Sequence, residues 1–130
     1  MPEQTRMLFR HVDEPDLHTI EKYKELGGYT AIEKAYKTMK QEDVLSELEA
    51  SGLRGRGGAG FSMGKKASFL PRGSMDKYLC CNADESEPGA FKDREILRDL
   101  PHLVIEGMAL AALEIGARRG WIFIRHEYHP

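Results

Sequence analysis

The run Gly55-Arg56-Gly57-Gly58-Ala59-Gly60 sets bare backbone beside positive charge. Glycines let backbone N–H groups approach an anion without obstruction, and Arg56, Lys65 or Lys66 can neutralise it, so phosphate is the ligand chemistry this stretch suits. The surroundings agree: between Gly52 and Lys77 lie Arg54, Arg56, Lys65, Lys66, Arg72 and Lys77 against the lone acid Asp76. A solvated basic surface loop would have the same composition. Two familiar nucleotide motifs do not account for it. Gly55, Gly57 and Gly60 satisfy the dinucleotide spacing G-x-G-x-x-G, but that fingerprint follows a strand and opens a helix, whereas this one follows a helical segment ending near Ser51. A triphosphate P-loop fails because Ala59 stands five before Gly64 and Lys66, not Ser or Thr, follows Lys65.

A second cluster, Asn82-Ala83-Asp84-Glu85-Ser86-Glu87-Pro88-Gly89, follows a short apolar run at Lys77 to Asn82. If that run is a parallel strand, the cluster lies at its carboxyl end, where α/β folds place ligands. Carboxylates as close as Asp84, Glu85 and Glu87 repel one another in a dry site, so they should be shared among solvent, backbone donors and ligand hydroxyls such as ribose or ribityl groups. A plain polar turn ending in Pro-Gly is the simpler alternative. Metal chemistry is poorly served, because the EF-hand pattern is absent and His102, His126 and His129 lack ligand spacing to a Cys or acid pair. His102, beside Pro101, reads as a helix-start residue. Cys80 and Cys81 are adjacent and too few for an iron–sulfur cluster or structural zinc, and a buried Cys81 would have a raised, unreactive thiol. No Cys–His or Ser–His nucleophile stands out.

The elements that would hold these clusters can be read from periodicity. Leu17 to Leu26 and Thr30 to Met39 carry apolar residues at three-to-four spacing around Gly27-Gly28. Gln41-Glu42-Asp43 begins a third helix that ends at Ser51-Gly52, with acids at its start and glycine at its close. Leu53 to Gly64 follows as a loop. Lys77 to Asn82 suits a strand buried on both faces, and Asn82 to Ala90 a polar connection. Pro101 opens a helix whose stretch Leu103 to Ile115 is apolar nearly all round and therefore sandwiched between layers. Gly116 stops it. Arg119 to Arg125 supplies a second strand, completing a parallel, right-handed βαβ unit.

At 130 residues with 41% hydrophobic content and a formal charge of −2, the chain suits one small globular domain and advertises no nucleic-acid partner. The longest apolar stretch is interrupted by Glu106 and Glu114 and is shorter than the ~20 residues a membrane-spanning helix needs, so direct membrane insertion is not expected. The start lacks the basic and apolar regions of a secretory signal, and export is not expected. Two parallel strands ending close to Pro130 would leave open edges and an uncovered sheet face, which suggests truncation.

The sequence resembles one family specifically. Ser51-Gly-Leu-Arg-Gly-Arg-Gly-Gly-Ala-Gly-Phe61 and Cys81-Asn-Ala-Asp-Glu-Ser-Glu-Pro-Gly89 are similar to motifs of the flavoprotein subunit of respiratory complex I, the NADH:quinone oxidoreductase, and both are shared by subunits of NAD-linked hydrogenases and formate dehydrogenases. The likeness continues through Lys92-Asp93-Arg94, Pro101-His-Leu, Glu106-Gly-Met108 and Arg125-x-Glu127-Tyr128. It implies a three-layer α/β/α fold with a parallel sheet: residues 1–50 form a helical amino-terminal segment and residues 51–130 the first part of an incomplete FMN- and NADH-binding domain. It implies FMN contacts from Gly55, Arg56, Gly57, Gly58, Lys66, Asn82, Asp84, Glu85 and Ser86. For NADH, it implies stacking by Phe61 and Phe69 and a carboxylate, Glu87, near the nicotinamide half.

The resemblance implies hydride transfer from NADH to FMN, then electron transfer through iron–sulfur clusters to quinone. That makes the chain an NADH dehydrogenase subunit, inactive as a fragment. The partners implied are the other hydrophilic-arm subunits, among them a 2Fe–2S thioredoxin-like subunit, and the location implied is peripheral, on the cytoplasmic side of the inner membrane. The family's Gly-Glu-Glu-Thr motif and its four-cysteine 4Fe–4S site are absent from these 130 residues. Two alternatives stay open: a diaphorase subunit of a hydrogenase or formate dehydrogenase, and a non-catalytic nucleotide-binding fragment. Ser62-Met63 and Ala67 replace the family's Phe-Pro and aromatic, and His126 stands where glycine is common, so the lip of the nucleotide site is expected to differ.

Overall fold

The computed structural model describes residues 6–73 and 75–128. The amino-terminal part is helical: α1 (Ile20–Glu25), α2 (Thr30–Thr38) and α3 (Gln41–Ala50). Thr19 caps α1 by accepting from the Lys22 amide at 3.3 Å, and Asp43 accepts from Lys40 N at 2.8 Å to close the start of α3. The predicted helix over Leu17 to Leu26 is shorter in the structure, with Leu17 outside it yet buried.

Between α1 and α2 the chain turns too sharply for ordinary side chains. A Cβ on Gly28 would lie 2.1 Å from the Tyr23 ring, and Tyr29 occupies left-handed backbone at φ 64°. That conformation is costly for a tyrosine. It is held by Glu106, whose carboxylate accepts from Tyr29 N at 2.9 Å, Ile32 N at 3.2 Å and the Tyr23 hydroxyl at 2.6 Å. One buried side chain thus caps α2 and fastens the amino-terminal helices to the helix carrying Glu106. Burial, followed by the bond to Glu106, pushes the Tyr23 phenol well above its usual pKa.

After α3 the chain makes the glycine loop and enters a short helix, α4 (Met63–Ser68). Periodicity could not find α4, because Met63-Gly-Lys-Lys-Ala-Ser68 has almost no apolar stripe. Ser62 caps it by accepting from Lys65 N at 3.3 Å, and a Cβ on Gly64 would meet Glu49 backbone atoms at 2.7 and 2.8 Å. Only glycine lets α4 lie that close to α3.

The α/β part follows as β1 (Tyr78–Ala83), α5 (Lys92–Asp99), α6 (Pro101–Ile115), β2 (Arg119–Ile124) and a 3-10 turn (His126–Tyr128). The two strands pair in parallel, from Tyr78↔Arg119 to Ala83↔Ile124, as expected for an α/β fold with a crossover connection. The crossover contains α5 as well as the predicted α6. Pro101 opens α6 and Gly116, at φ 72°, ends it. This helix contacts α2, α3 and α5 as well as both strands, but Leu103 and Ile105 are exposed and only Glu106, Glu114 and Ile115 are buried, so it is less enclosed than its all-round apolar sequence suggests.

The expectation that Lys77 to Asn82 is buried on both faces is corrected. Tyr78, Cys80 and Asn82 are exposed while Leu79, Cys81 and Ala83 turn inward, and every residue of β2 is exposed. Only α6 lies across the sheet, so its other face is open among the described residues. Among the described residues the buried apolar side chains are few: Leu17, Ala35, Ala83, Leu100 and Ile115. No helix among the described residues is long and apolar enough to cross a membrane.

Because Glu106 satisfies three donors at once, Glu106→Ala should cost about 2–4 kcal/mol, whereas Glu106→Gln, which still offers one acceptor, should cost less. Urea unfolding of the full-length gene product measures this. A parent-like midpoint for the alanine variant would show that these bonds do not hold the helices.

Candidate functional site

The glycine loop is the tip of a narrow hairpin. Arg54 and Ser62 form an antiparallel bridge, Gly55 N donates to Phe61 O at 2.8 Å, and the Arg54 side chain crosses to Gly60 O at 2.6 Å. These bonds close the base of the loop and leave its tip unengaged: among the described residues, no amide from Arg56 to Gly60 donates to a backbone carbonyl. A Cβ on Gly57 or Gly58 would find nothing within 4 Å, so the space over the tip is open, and Gly58 at φ 150° and Gly60 at φ 63° hold backbone that side chains disfavour. Consecutive unpaired amides flanked by Arg56, with Lys65 and Lys66 on the following helix, are a donor set for phosphate.

Two exposed aromatics stand beside this loop. Phe61, at the hairpin's end, and Phe69, which caps α4, have ring centroids 6.2 Å apart, and the Lys65 ammonium lies 5.3 Å from the Phe69 ring. They are 50% and 64% exposed, so neither is core and both offer free ring faces. Such faces suit stacking by a flat base.

The acidic segment occupies the place foreseen for it, at the carboxyl end of β1. Asp84 N donates to Asn82 Oδ1 at 3.1 Å, and Ser86 Oγ donates to Asp84 Oδ2 at 2.7 Å. Its three carboxylates are divided by environment: Glu87 is exposed, Asp84 is half-buried, and Glu85 is only 4% exposed. The Glu85 carboxylate accepts from Asp93 N at 3.1 Å, Arg94 N at 3.4 Å and Tyr128 OH at 2.8 Å, and Lys92 stands 3.5 Å away. It therefore caps α5 from seven residues before the helix, and its oxygens are committed to protein donors. Burial works to raise this carboxyl's pKa, but the bonds from Tyr128 and the two amides outweigh it and hold it below the ordinary value.

The turn after β2 forms the opposite wall. Asp84 and Ser86 share an open cleft with Phe123, Arg125, His126 and Tyr128, at the carboxyl ends of both strands. Arg125 donates to the Glu85 carbonyl and forks onto Glu127 at 2.7 and 3.0 Å, which holds the Glu127 carboxyl down at about 2. These Arg125 and Tyr128 roles escaped the sequence reading, although both residues belong to the segment that carried the resemblance. Gly55 to Gly58 and Lys66 do not line this cleft.

His102 fulfils its expected place in the first turn of α6, its Nδ1 paired with Tyr29 OH at 2.7 Å. Burial raises the Cys81 thiol's pKa, while Cys80 is exposed. Among the described residues no group of three His, Cys, Asp or Glu side chains is placed to hold a metal ion.

An anion-ready loop and a cleft at the ends of parallel strands define an α/β ligand-binding domain. Residues 48–130 match the family model described as the Nuo51 FMN-binding domain, and the chain belongs to that family. It is 49% identical over 123 residues to an NADH-quinone oxidoreductase subunit of Rhizobium meliloti, covering 94% of this chain and 29% of that protein. The corresponding NADH-quinone oxidoreductase subunit of Escherichia coli is 42% identical over 129 residues, covering 98% of this chain and 29% of its own length. The chain thus spans under a third of these relatives. Among solved structures, an NAD+-reducing nickel–iron hydrogenase in the air-oxidised state is similar with a TM-score of 0.71 at 34% identity, covering 96% of this chain and 20% of that one.

The depressed Glu85 carboxyl sets a pH dependence. A lowered folded pKa stabilises the protein above the ordinary value of 4.5, and that contribution is lost as pH falls through the folded value. Glu85→Gln should therefore melt earlier than the parent at neutral pH, and the gap should close in acid. Melting curves from neutral pH downward check this, and a gap that persists unchanged into acid would contradict it.

Proposed function

We propose that this chain supplies the first part of an FMN- and NADH-binding site in an NADH-oxidising flavoprotein subunit, with residues 51–130 as the binding domain and residues 1–50 as its helical support. The observation that carries the reading is the unpaired Arg56–Gly60 amide run, open above Gly57 and Gly58, in a chain of the Nuo51 FMN-binding domain family. FMN held there would supply a hydride acceptor for NADH and a carrier able to release electrons singly.

The chain's residues bind and orient. Gly57 and Gly58 present backbone to the phosphate end of FMN, Gly55 closes the base of that cradle through its bond to Phe61, and Arg56 and Lys66 balance the charge. Asp84 and Ser86 offer short polar groups to hydroxyls from the cleft at the strand ends, and the exposed Asn82 does so from β1 beside them. Glu85, its carboxylate engaged by α5, contributes by shaping the loop. Phe61 and Phe69 receive the base of NADH, and Glu87, exposed at the far end of the segment, orients the nicotinamide half. No residue needs to act as a general base, because the demand is a near-attack alignment of two flat rings.

In the larger assembly, we infer electron transfer onward through iron–sulfur clusters, a 4Fe–4S group among them, to quinone. The partners are other hydrophilic-arm subunits, including a 2Fe–2S thioredoxin-like one, at the cytoplasmic face of the inner membrane. The relatives named as NADH-quinone oxidoreductase subunits favour this reading. The hydrogenase likeness keeps a diaphorase subunit as the second. Since the chain spans 29% of its relatives, residues 1–130 by themselves should bind FMN weakly and be inactive.

In the full-length gene product, Gly57→Val should expel FMN by blocking backbone approach, and parent-level flavin content would refute the cradle. Glu87→Gln should keep FMN and slow NADH-driven flavin bleaching about tenfold to a hundredfold, through KM or the hydride step, while dithionite reduction is unaffected. Parent-like bleaching in rapid mixing would remove Glu87 from the NADH site.

A further inference from the structure

We propose that Arg125 and Tyr128 are positioning residues that hold the Asp84–Glu87 loop in its ligand-binding shape by bracing Glu85 from the turn after β2. The proposal rests on the flavin reading above and adds to it two residues that touch no ligand in that scheme.

The brace follows from register. Ala83 and Ile124 are partners in the sheet, so the chain leaves both strands side by side. On the β2 side it winds at once into the turn His126–Tyr128, which returns two side chains toward the β1 loop. The Arg125 guanidinium bonds the Glu85 carbonyl, and the Tyr128 hydroxyl bonds the Glu85 carboxylate at 2.8 Å. One residue of the loop is thus gripped at both its main chain and its side chain. Glu127 forks onto the same guanidinium, which lies 5.7 Å from the Tyr128 ring, so the turn holds its own two contacts in place.

Apart from the tether of Glu85 to the start of α5, the loop has little else to hold it. Its internal bonds are short-range: Asp84 N to Asn82 Oδ1, Ser86 to Asp84, and Ala90 N to Glu87 O. The flanking residues Asp84 and Ser86 line the cleft whose other wall is the turn itself. Releasing Glu85 from the turn therefore changes the spacing of the two walls. It does not release α5, because the bonds from Asp93 N and Arg94 N to Glu85 are separate. Loop order can therefore be perturbed while the helix cap persists.

The test uses Tyr128→Phe and Arg125→Gln in the full-length gene product, read by amide hydrogen exchange and by FMN titration. Each variant should speed exchange at the two bonded loop amides, Asp84 and Ala90, about tenfold while α3 keeps parent protection. Each should weaken FMN about fivefold to thirtyfold. If Tyr128 acts through Glu85, adding Tyr128→Phe to Glu85→Ala, which leaves the hydroxyl no acceptor there, should weaken FMN little further, whereas independent effects would multiply. Parent-like exchange at Asp84 and Ala90 in a folded variant overturns the brace. So does faster exchange with unchanged FMN affinity, or full multiplication in the double variant. If the parent takes up no FMN, the flavin reading fails, and the exchange data alone then sustain or overturn the brace.

Discussion

A carboxylate taken out of water must be given hydrogen-bond donors, and among the described residues this chain meets that constraint three times, with Glu85, Glu106 and Glu114. Each joins parts of the chain that are far apart in sequence. Glu106 ties α6 to the start of α2 and to Tyr23. Glu114, 2% exposed, receives the Arg72 guanidinium at 2.9 Å, while Arg72 also donates to the Glu114 carbonyl, anchoring the segment that leads into β1. Glu85 joins the β1 loop, the start of α5 and the turn after β2. With few apolar side chains fully buried, these contacts specify how the helices and the sheet meet.

That framework separates residues that hold the site from residues free to meet a ligand. Within the cluster Asp84-Glu85-Ser86-Glu87, the middle carboxylate faces inward to protein donors while Glu87 stays in water. In the glycine loop, the bonds at Gly55, Arg54 and Phe61 close the base, and the amides beyond them have no backbone partner among the described residues. A loop closed at its base and open at its tip is pre-organised, so little ordering cost is left for an anion to meet on binding.

Much of this architecture was legible because it follows from local chemistry. The parallel strands, α6 between Pro101 and Gly116 and the helices of the first fifty residues all carry their periodicity and stop signals in adjacent residues. The glycine loop and the acidic segment were legible as ligand chemistry from residue type and position alone. What escaped depends on distant partners. Helix α5 is highly charged with only Ile96 and Leu97 as an apolar patch, and its start is capped by Glu85, seven residues before it. Glu106 and Glu114 read as interruptions of an apolar helix, since their donors lie far away in sequence. Arg125 and Tyr128 were visible within a motif, but their grip on Glu85 exists only once the strands pair. The exposed outer face of β1 was missed because an alternating strand and a doubly buried one look alike over six residues that include two cysteines.

Everything proposed for the site turns on the Arg56–Gly60 amides receiving the phosphate of a flavin nucleotide. Comparing FMN with riboflavin on the apo full-length gene product tests it most directly, since the two ligands differ only by that phosphate. Several charge-assisted bonds to the loop should make FMN bind at least about a hundredfold more tightly, and Gly57→Val should erase most of that preference. Equal affinity for the two flavins in the parent protein would contradict the assignment.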